Sequence, residues 1–143
     1  MYCYKYPHPA VTAECIVFNQ EDGTISVLLI KRKNEPYKDC WAFPGGFVNI
    51  DESAENAAIR ELKEETGLEV SRVEQLKAYS NPDRDPRERV ITIAFIAESK
   101  IKDVKGGDDA KEARWFDISN LPPLAFDHEQ ILNDAIERLR GKN

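Results

Sequence analysis

With 143 residues, 41% of them hydrophobic, the chain is the size of one ordinary domain and long enough to bury a core. Its formal charge of -6 and pI near 5.0 argue against nonspecific nucleic-acid binding and against docking on an anionic membrane, since both need a positive face. Cys3, Cys15 and Cys40 are odd in number, show no CxxC spacing and follow no secretory signal, so they read as reduced thiols in a cytoplasmic protein; the most apolar runs, 27–30 and 91–97, are far too short to span a bilayer.

Residues 10–18 alternate in part, with Val11, Ala13, Cys15 and Val17 on one face and Glu14 on the other, which predicts a strand. A turn over 19–23 leads into a second strand over 25–31, so the two form a hairpin. Pro36 and the charges around it mark a loop before the short run 41–43, and Pro44, Gly45 and Gly46 break the chain again. A helix then begins near Asp51 or Ser53 as N-cap and stops at Gly67, with Leu68 folding back on its last turn. Residues 73–79 and 90–97 read as strands, separated by the loop 81–89, which two prolines keep irregular. A second polar loop, 102–112, precedes the apolar and aromatic run 113–118. Asp127 to Gln130 has the form of a capping box, opening a final helix whose Ile131, Leu132, Ala135, Ile136 and Leu139 make an apolar stripe. Several strands, two helices and no internal repeat predict one layered α+β or α/β domain over 1–143.

The first helix carries the chemistry. Residues 46–68 hold six acidic side chains, and Glu61, Glu64 and Glu65 fall within about a third of the helix circumference at roughly 100° per residue. Like charges at that spacing destabilise a bare helix. A solvated helix face is the plain reading of such a run; the chemical reading is a bound cation, and hard cations on carboxylates point to phosphate chemistry.

Gly46, five residues, Glu52, seven residues, and then Arg60-Glu61-Leu62-Lys63-Glu64-Glu65-Thr66-Gly67-Leu68 resemble the Nudix box at every specified position. The resemblance extends over nearly the whole chain and implies the Nudix fold, an α/β/α sandwich of the α+β class with a mixed sheet between helices. It implies Mg²⁺, or Mn²⁺, held by Glu61, Glu64, Glu65 and the carbonyl of Gly45, with Gly46, Glu52, Arg60 and Gly67 in structural roles. Arg60 is placed to hold Glu64 at i+4 or to reach Glu52, and Ala54, Ala57 and Ala58 leave room on the preceding turns.

The stretches AFPGGFV, NPDRDPRERVITIAF, GGDDAKEARWF and PPLAFDHEQIL are similar to the ADP-ribose pyrophosphatase branch of that family and to the related sensor domains of NAD-metabolism repressors; Pro82 sits where that branch carries a proline. The expected reaction is metal-dependent hydrolysis of the diphosphate of ADP-ribose, or of a close nucleoside diphosphate derivative, to AMP and a sugar phosphate. The general base is then a box glutamate, or Asp109 or Glu112 from the second polar loop. Arg84, Arg87 and Arg89 are candidates for the phosphates, because guanidinium forks match phosphate oxygens; the alternative pairs them with Asp83, Asp85 and Glu88. Phe43, Phe47 and Tyr79 are candidates to stack the adenine, while His8 and His128 have little claim as metal ligands. The resemblance also implies a homodimer. Other readings are cleavage of another nucleoside diphosphate or of an oxidised nucleoside triphosphate, a non-catalytic ADP-ribose sensor, and an acidic interaction module. The sensors carry a winged DNA-binding segment after the Nudix part, and this chain stops at Asn143, which weighs toward the enzyme.

Overall fold

Asp22-Gly23 makes the first turn, with both residues at positive φ (52° and 80°), and joins β1 (Ala10–Glu21) to β2 (Thr24–Arg32) in the register Glu21↔Thr24. Such a pair enters the left-handed region cheaply, and its twist suits a two-residue hairpin. The structure, a computed structural model, describes residues 2–107 and 110–141. On its other edge β1 pairs in parallel with β6 (Val90–Glu98), from Ala10↔Val90 to Phe18↔Glu98, and β5 (Glu74–Tyr79) lies antiparallel beyond β6. The two-residue β3 (Trp41–Ala42) and β7 (Ala110–Asp117) both pair with β2. The result is one mixed sheet in the order β3-β2-β1-β6-β5, with β7 on β2 and a short β4 (Gly45–Phe47) on β1.

β1 shows why its alternation in the sequence was only partial: both of its faces are buried. Ile16 and Phe18 pack with Ile131, Leu132, Ala135 and Leu139 of α2 (His128–Gly141), while Ala13, Cys15 and Val17 pack with Ala57, Ala58 and Leu62 of α1 (Ala54–Thr66). A strand covered on two sides has no solvent face to fill with polar residues. Sheet between helices is the expected α/β/α sandwich of the α+β class. Among the described residues no helix is long and apolar enough to cross a membrane.

Two local expectations need correction. Gly45 and Gly46 do not break the chain; they form β4, paired Ala13↔Gly46 and Glu14↔Gly45. A Cβ on Gly45 would lie 2.4 Å from the Ala13 carbonyl oxygen, so only glycine lets this backbone come so close to β1. Ala57 and Ala58 do not leave open room. They are fully buried, and their small side chains let α1 sit down on the sheet.

Candidate active site

The ends of α1 are fixed by local chemistry. Ser53 is the N-cap, its Oγ accepting from the Asn56 N–H at 3.1 Å, and Gly67 closes the helix in the left-handed region (φ 79°) while its N–H reaches Lys63 O. The buried Thr66 hydroxyl donates to Leu62 O and accepts from the Leu68 N–H, which turns the chain back and buries Leu68. This fixed helix carries its carboxylates to β4. Glu65 Oε1 accepts from the Gly45 N–H at 2.8 Å, and Glu61 lies against Gly46, where a Cβ would stand 2.4 Å from Glu61 Oε2. Two consecutive glycines thus let two carboxylates close on one short strand.

Arg60 ties the acidic group together. Its guanidinium donates to Glu52 (2.6 Å), Glu61 (2.5 Å), Glu64 (3.0 Å) and the Phe47 carbonyl (3.2 Å). Both expected partners, Glu64 at i+4 and Glu52 in the loop, are therefore engaged at once. Hydrogen bonding to Glu52 raises the Arg60 pKa further, and Arg60 in turn holds Glu52 below the usual carboxylate range. Burial pushes the Glu61 pKa up, with Arg60 opposing it.

These groups form one wall of a cleft of about 540 Å³, enough for most of a nucleotide. The facing wall comes from β2, the loop 81–89 and the start of α2. Arg84, almost fully buried, donates from Nε and Nη2 to both oxygens of Asp127 at 2.9 and 2.7 Å. Arg87 forks onto Asp85 at 3.1 and 2.7 Å while lying over the rings of Phe47 and Phe126. Arg32 covers the other approach to Phe126, at 5.0 Å from its centroid. Burial, and then repulsion from Arg87, lower the Arg32 pKa. His128 stacks on Phe43 at 4.8 Å, and its Nδ1 accepts from the Phe43 N–H at 3.2 Å. Burial pulls the His128 pKa down to about 3, so the imidazole is neutral with its proton on Nε2.

The NUDIX domain family matches residues 8–138. The chain belongs to the NUDIX family. It is 54% identical, over 96% of its length and 78% of the relative's, to the ADP-ribose pyrophosphatase of Methanocaldococcus jannaschii. Among solved structures it superposes on a MutT/nudix family protein from Enterococcus faecalis with a TM-score of 0.90 at 35% identity, covering 99% of this chain but only 66% of that one. It also superposes on the NUDIX domain of Shewanella oneidensis NrtR complexed with ADP ribose, with a TM-score of 0.88 at 31% identity over 94% of this chain and 90% of that one.

As a Nudix site the acidic wall suits a divalent ion by its donor chemistry. Hard carboxylate oxygens converge on a glycine pair that lets backbone approach closely, and Arg60 supplies the positive charge among them. Among the described residues no three acidic, histidine or cysteine side chains already close into a cage. An ion that keeps waters and takes diphosphate oxygens needs fewer protein ligands than that.

The expected site residues are only partly brought together. Phe43, Gly45, Gly46, Phe47, Arg60, Glu61, Glu65, Arg84 and Arg87 all line this cleft. Glu52 and Glu64 reach its edge through Arg60, and Gly67 ends the helix behind it. Tyr79 lies elsewhere, in the core beneath α2, donating from its hydroxyl to Asp134 at 2.7 Å. Arg89 is exposed outside the cleft lining, where its carbonyl accepts from the Ala10 N–H. Glu112 lies on β7, paired with Arg114 at 3.0 Å. Asp109 falls outside the described residues; Gly107, two positions before it, packs on the Glu64 carbonyl, and Lys105 N–H bonds Thr66 O at the end of α1.

Sequence reasoning passed over Thr12, Glu14, Arg32, Phe126 and Asp127, all in or beside this cleft. It set His128 aside as a ligand, and the ring is instead a wall of the cleft. The one visible signal was Glu14, an acidic residue in an otherwise apolar strand. Burial raises its pKa to about 8, with Arg84 opposing.

Proposed function

We propose that this chain is a divalent-metal-dependent Nudix hydrolase that splits the diphosphate of ADP-ribose, or of a close nucleoside diphosphate derivative, into AMP and a sugar phosphate. The observation that carries the reading is the meeting of Glu61 and Glu65 with Gly45 and Gly46 at one end of a nucleotide-sized cleft walled by arginines and aromatic rings. The similarity to a protein named ADP-ribose pyrophosphatase supports the substrate.

Glu61, Glu64, Glu65 and the Gly45 carbonyl would hold Mg²⁺, or Mn²⁺, which when bound supplies charge neutralisation of the diphosphate and a polarised water. Arg60 orients the glutamates. A box glutamate not engaged with the ion, or an acid of the 102–112 segment such as Asp109 or Glu112, takes the proton from the attacking water. Arg87 and Arg32 face the phosphates and the base from the opposite wall, with Phe47 and Phe126 as the stacking surfaces. Arg84 contributes by fixing that wall to α2 through Asp127.

The test is a product assay with Mg²⁺ over ADP-ribose, NADH, diadenosine polyphosphates, sugar nucleotides and 8-oxo-dGTP. AMP release from ADP-ribose at the highest kcat/KM is expected; efficient turnover of another substrate with ADP-ribose inert overturns the substrate. A second reading, a non-catalytic sensor of ADP-ribose, draws on the likeness to the NrtR NUDIX domain and predicts tight binding without AMP release. The reading includes a cytoplasmic homodimer, which rests on the family likeness and is checked by light scattering at assay concentration.

A further inference from the structure

The floor of the cleft carries polar groups that neither the box nor the arginine wall uses. Thr12 and Glu14 stand two residues apart on β1, so their side chains share a face, and both line the cleft. Thr12 is 6% exposed, and among the described residues its Oγ1 is the buried side-chain polar atom with no hydrogen-bond partner. Buried hydroxyls nearly always have a partner, so one on a residue that lines a cleft is open to a hydrogen bond from a bound ligand or a water. Beside it, Thr92 Oγ1 lies 3.3 Å from Glu14 Oε1 and 3.4 Å from the Thr12 carbonyl, and its single proton serves one of these acceptors at a time. Glu14 Oε2 is turned toward Gly45, where a Cβ would stand 2.2 Å from it. Gly45, having no side chain, leaves room for this oxygen against its backbone.

We propose that Thr12 and Glu14 form the subsite for the sugar beyond the scissile diphosphate, reading its vicinal hydroxyls. The carboxyl oxygens accept from a diol, and the threonine hydroxyl gives or takes a hydrogen bond beside them, the pattern by which acidic side chains recognise ribose elsewhere. The aromatic shelf of Phe47 and Phe126 takes the base on the other side of the phosphates. Arg84, fixed by Asp127, and Arg32 favour the ionised form of Glu14 against the burial that raises its pKa. This assignment rests on the reading of the chain as an ADP-ribose hydrolase.

The experiment compares wild type with Thr12→Val, which keeps the shape and removes the hydroxyl, and with Glu14→Gln. Three quantities are measured: KM and kcat for ADP-ribose, the inhibition constant of ADP, which lacks the second sugar, and the Mn²⁺ affinity of the protein alone. Thr12→Val is expected to raise the KM for ADP-ribose roughly tenfold, and Glu14→Gln at least as much, with the ADP constant and the Mn²⁺ affinity within about twofold of wild type. Equal weakening of ADP, unchanged ADP-ribose kinetics, or a tenfold loss of Mn²⁺ affinity in Glu14→Gln overturns the subsite. An inert wild type overturns the parent reading together with it, whereas an active wild type with any of those three results overturns the subsite alone.

Discussion

Arg60 and Arg84 line the same cleft and are held in opposite ways. Arg60 is about 29% exposed and spreads its guanidinium over Glu52, Glu61 and Glu64, all within eight residues of it in sequence. Arg84 is 4% exposed and gives its fork to one carboxylate, Asp127, 43 residues away. The first is a local hub that leaves its carboxylates within reach of the cleft, and the proposed function has it orient them. The second is a buried clamp joining the loop 81–89 to the start of α2, and so it holds a wall in place. Two residues of one type at one cleft thus differ in burial and in the sequence distance of their partners, one pairing locally and the other joining distant segments.

The sharpest way to break this contrast is to attack the acidic wall itself. Glu65→Gln is expected to lower kcat by several orders of magnitude while a thermal melt stays near wild type; near-normal turnover would remove the box glutamates from the chemistry. On the clamp side the next largest effect is in acid. The folded His128 imidazole stays neutral down to about pH 3, whereas the unfolded one takes a proton near 6.5. Its contribution is therefore fully present above about pH 6.5 and is lost as pH falls from there toward 3, an effect of order a few kcal/mol. His128→Asn keeps an acceptor for the Phe43 N–H, and denaturant melts between pH 7 and 4 should show a shallower decline than wild type; parallel curves would contradict the buried neutral ring.

Arg84→Ala strands Asp127 beside a buried wall, and urea melts at pH 7 should register a loss of about 3 kcal/mol. Arg60→Ala breaks pairs that water already screens, so the same melts should move by about 1 kcal/mol or less. Its larger consequence belongs to turnover, a fall of roughly 10- to 100-fold as the glutamates lose their orientation. If Arg60→Ala unfolds the protein and Arg84→Ala alters only kcat, the division of roles is the wrong way round.

The acidic helix was legible because everything that shapes it is close by in sequence. The Ser53 cap, the Gly67 stop, the Leu68 fold-back and the Arg60 pairs all span eight residues or fewer. The hairpin of β1 and β2 was legible for the same reason. β4 was not, because Pro-Gly-Gly reads as a break until a neighbouring strand and a helix are present to demand residues without a Cβ. Asp127 read as a helix cap, yet its carboxylate is taken by Arg84, and no local pattern announces a partner 43 positions away. Tyr79 read as an aromatic candidate for the base; its place on β5 turns it instead toward Asp134 of α2.

The chain's own letters determined the acidic wall, since helix periodicity and caps alone bring Glu61, Glu64 and Glu65 to one side with Arg60 among them. Tertiary structure decided what faces them. The parallel pairing of β1 with β6 sets the buried Thr92 beside Thr12 and Glu14 of the cleft floor, and the packing of α2 brings His128 and Asp127 to its wall. The physical reason is range: hydrogen bonds within a helical turn are written in neighbouring residues, whereas a cleft between sheet, helix and loop exists only after distant apolar faces have been buried against one another.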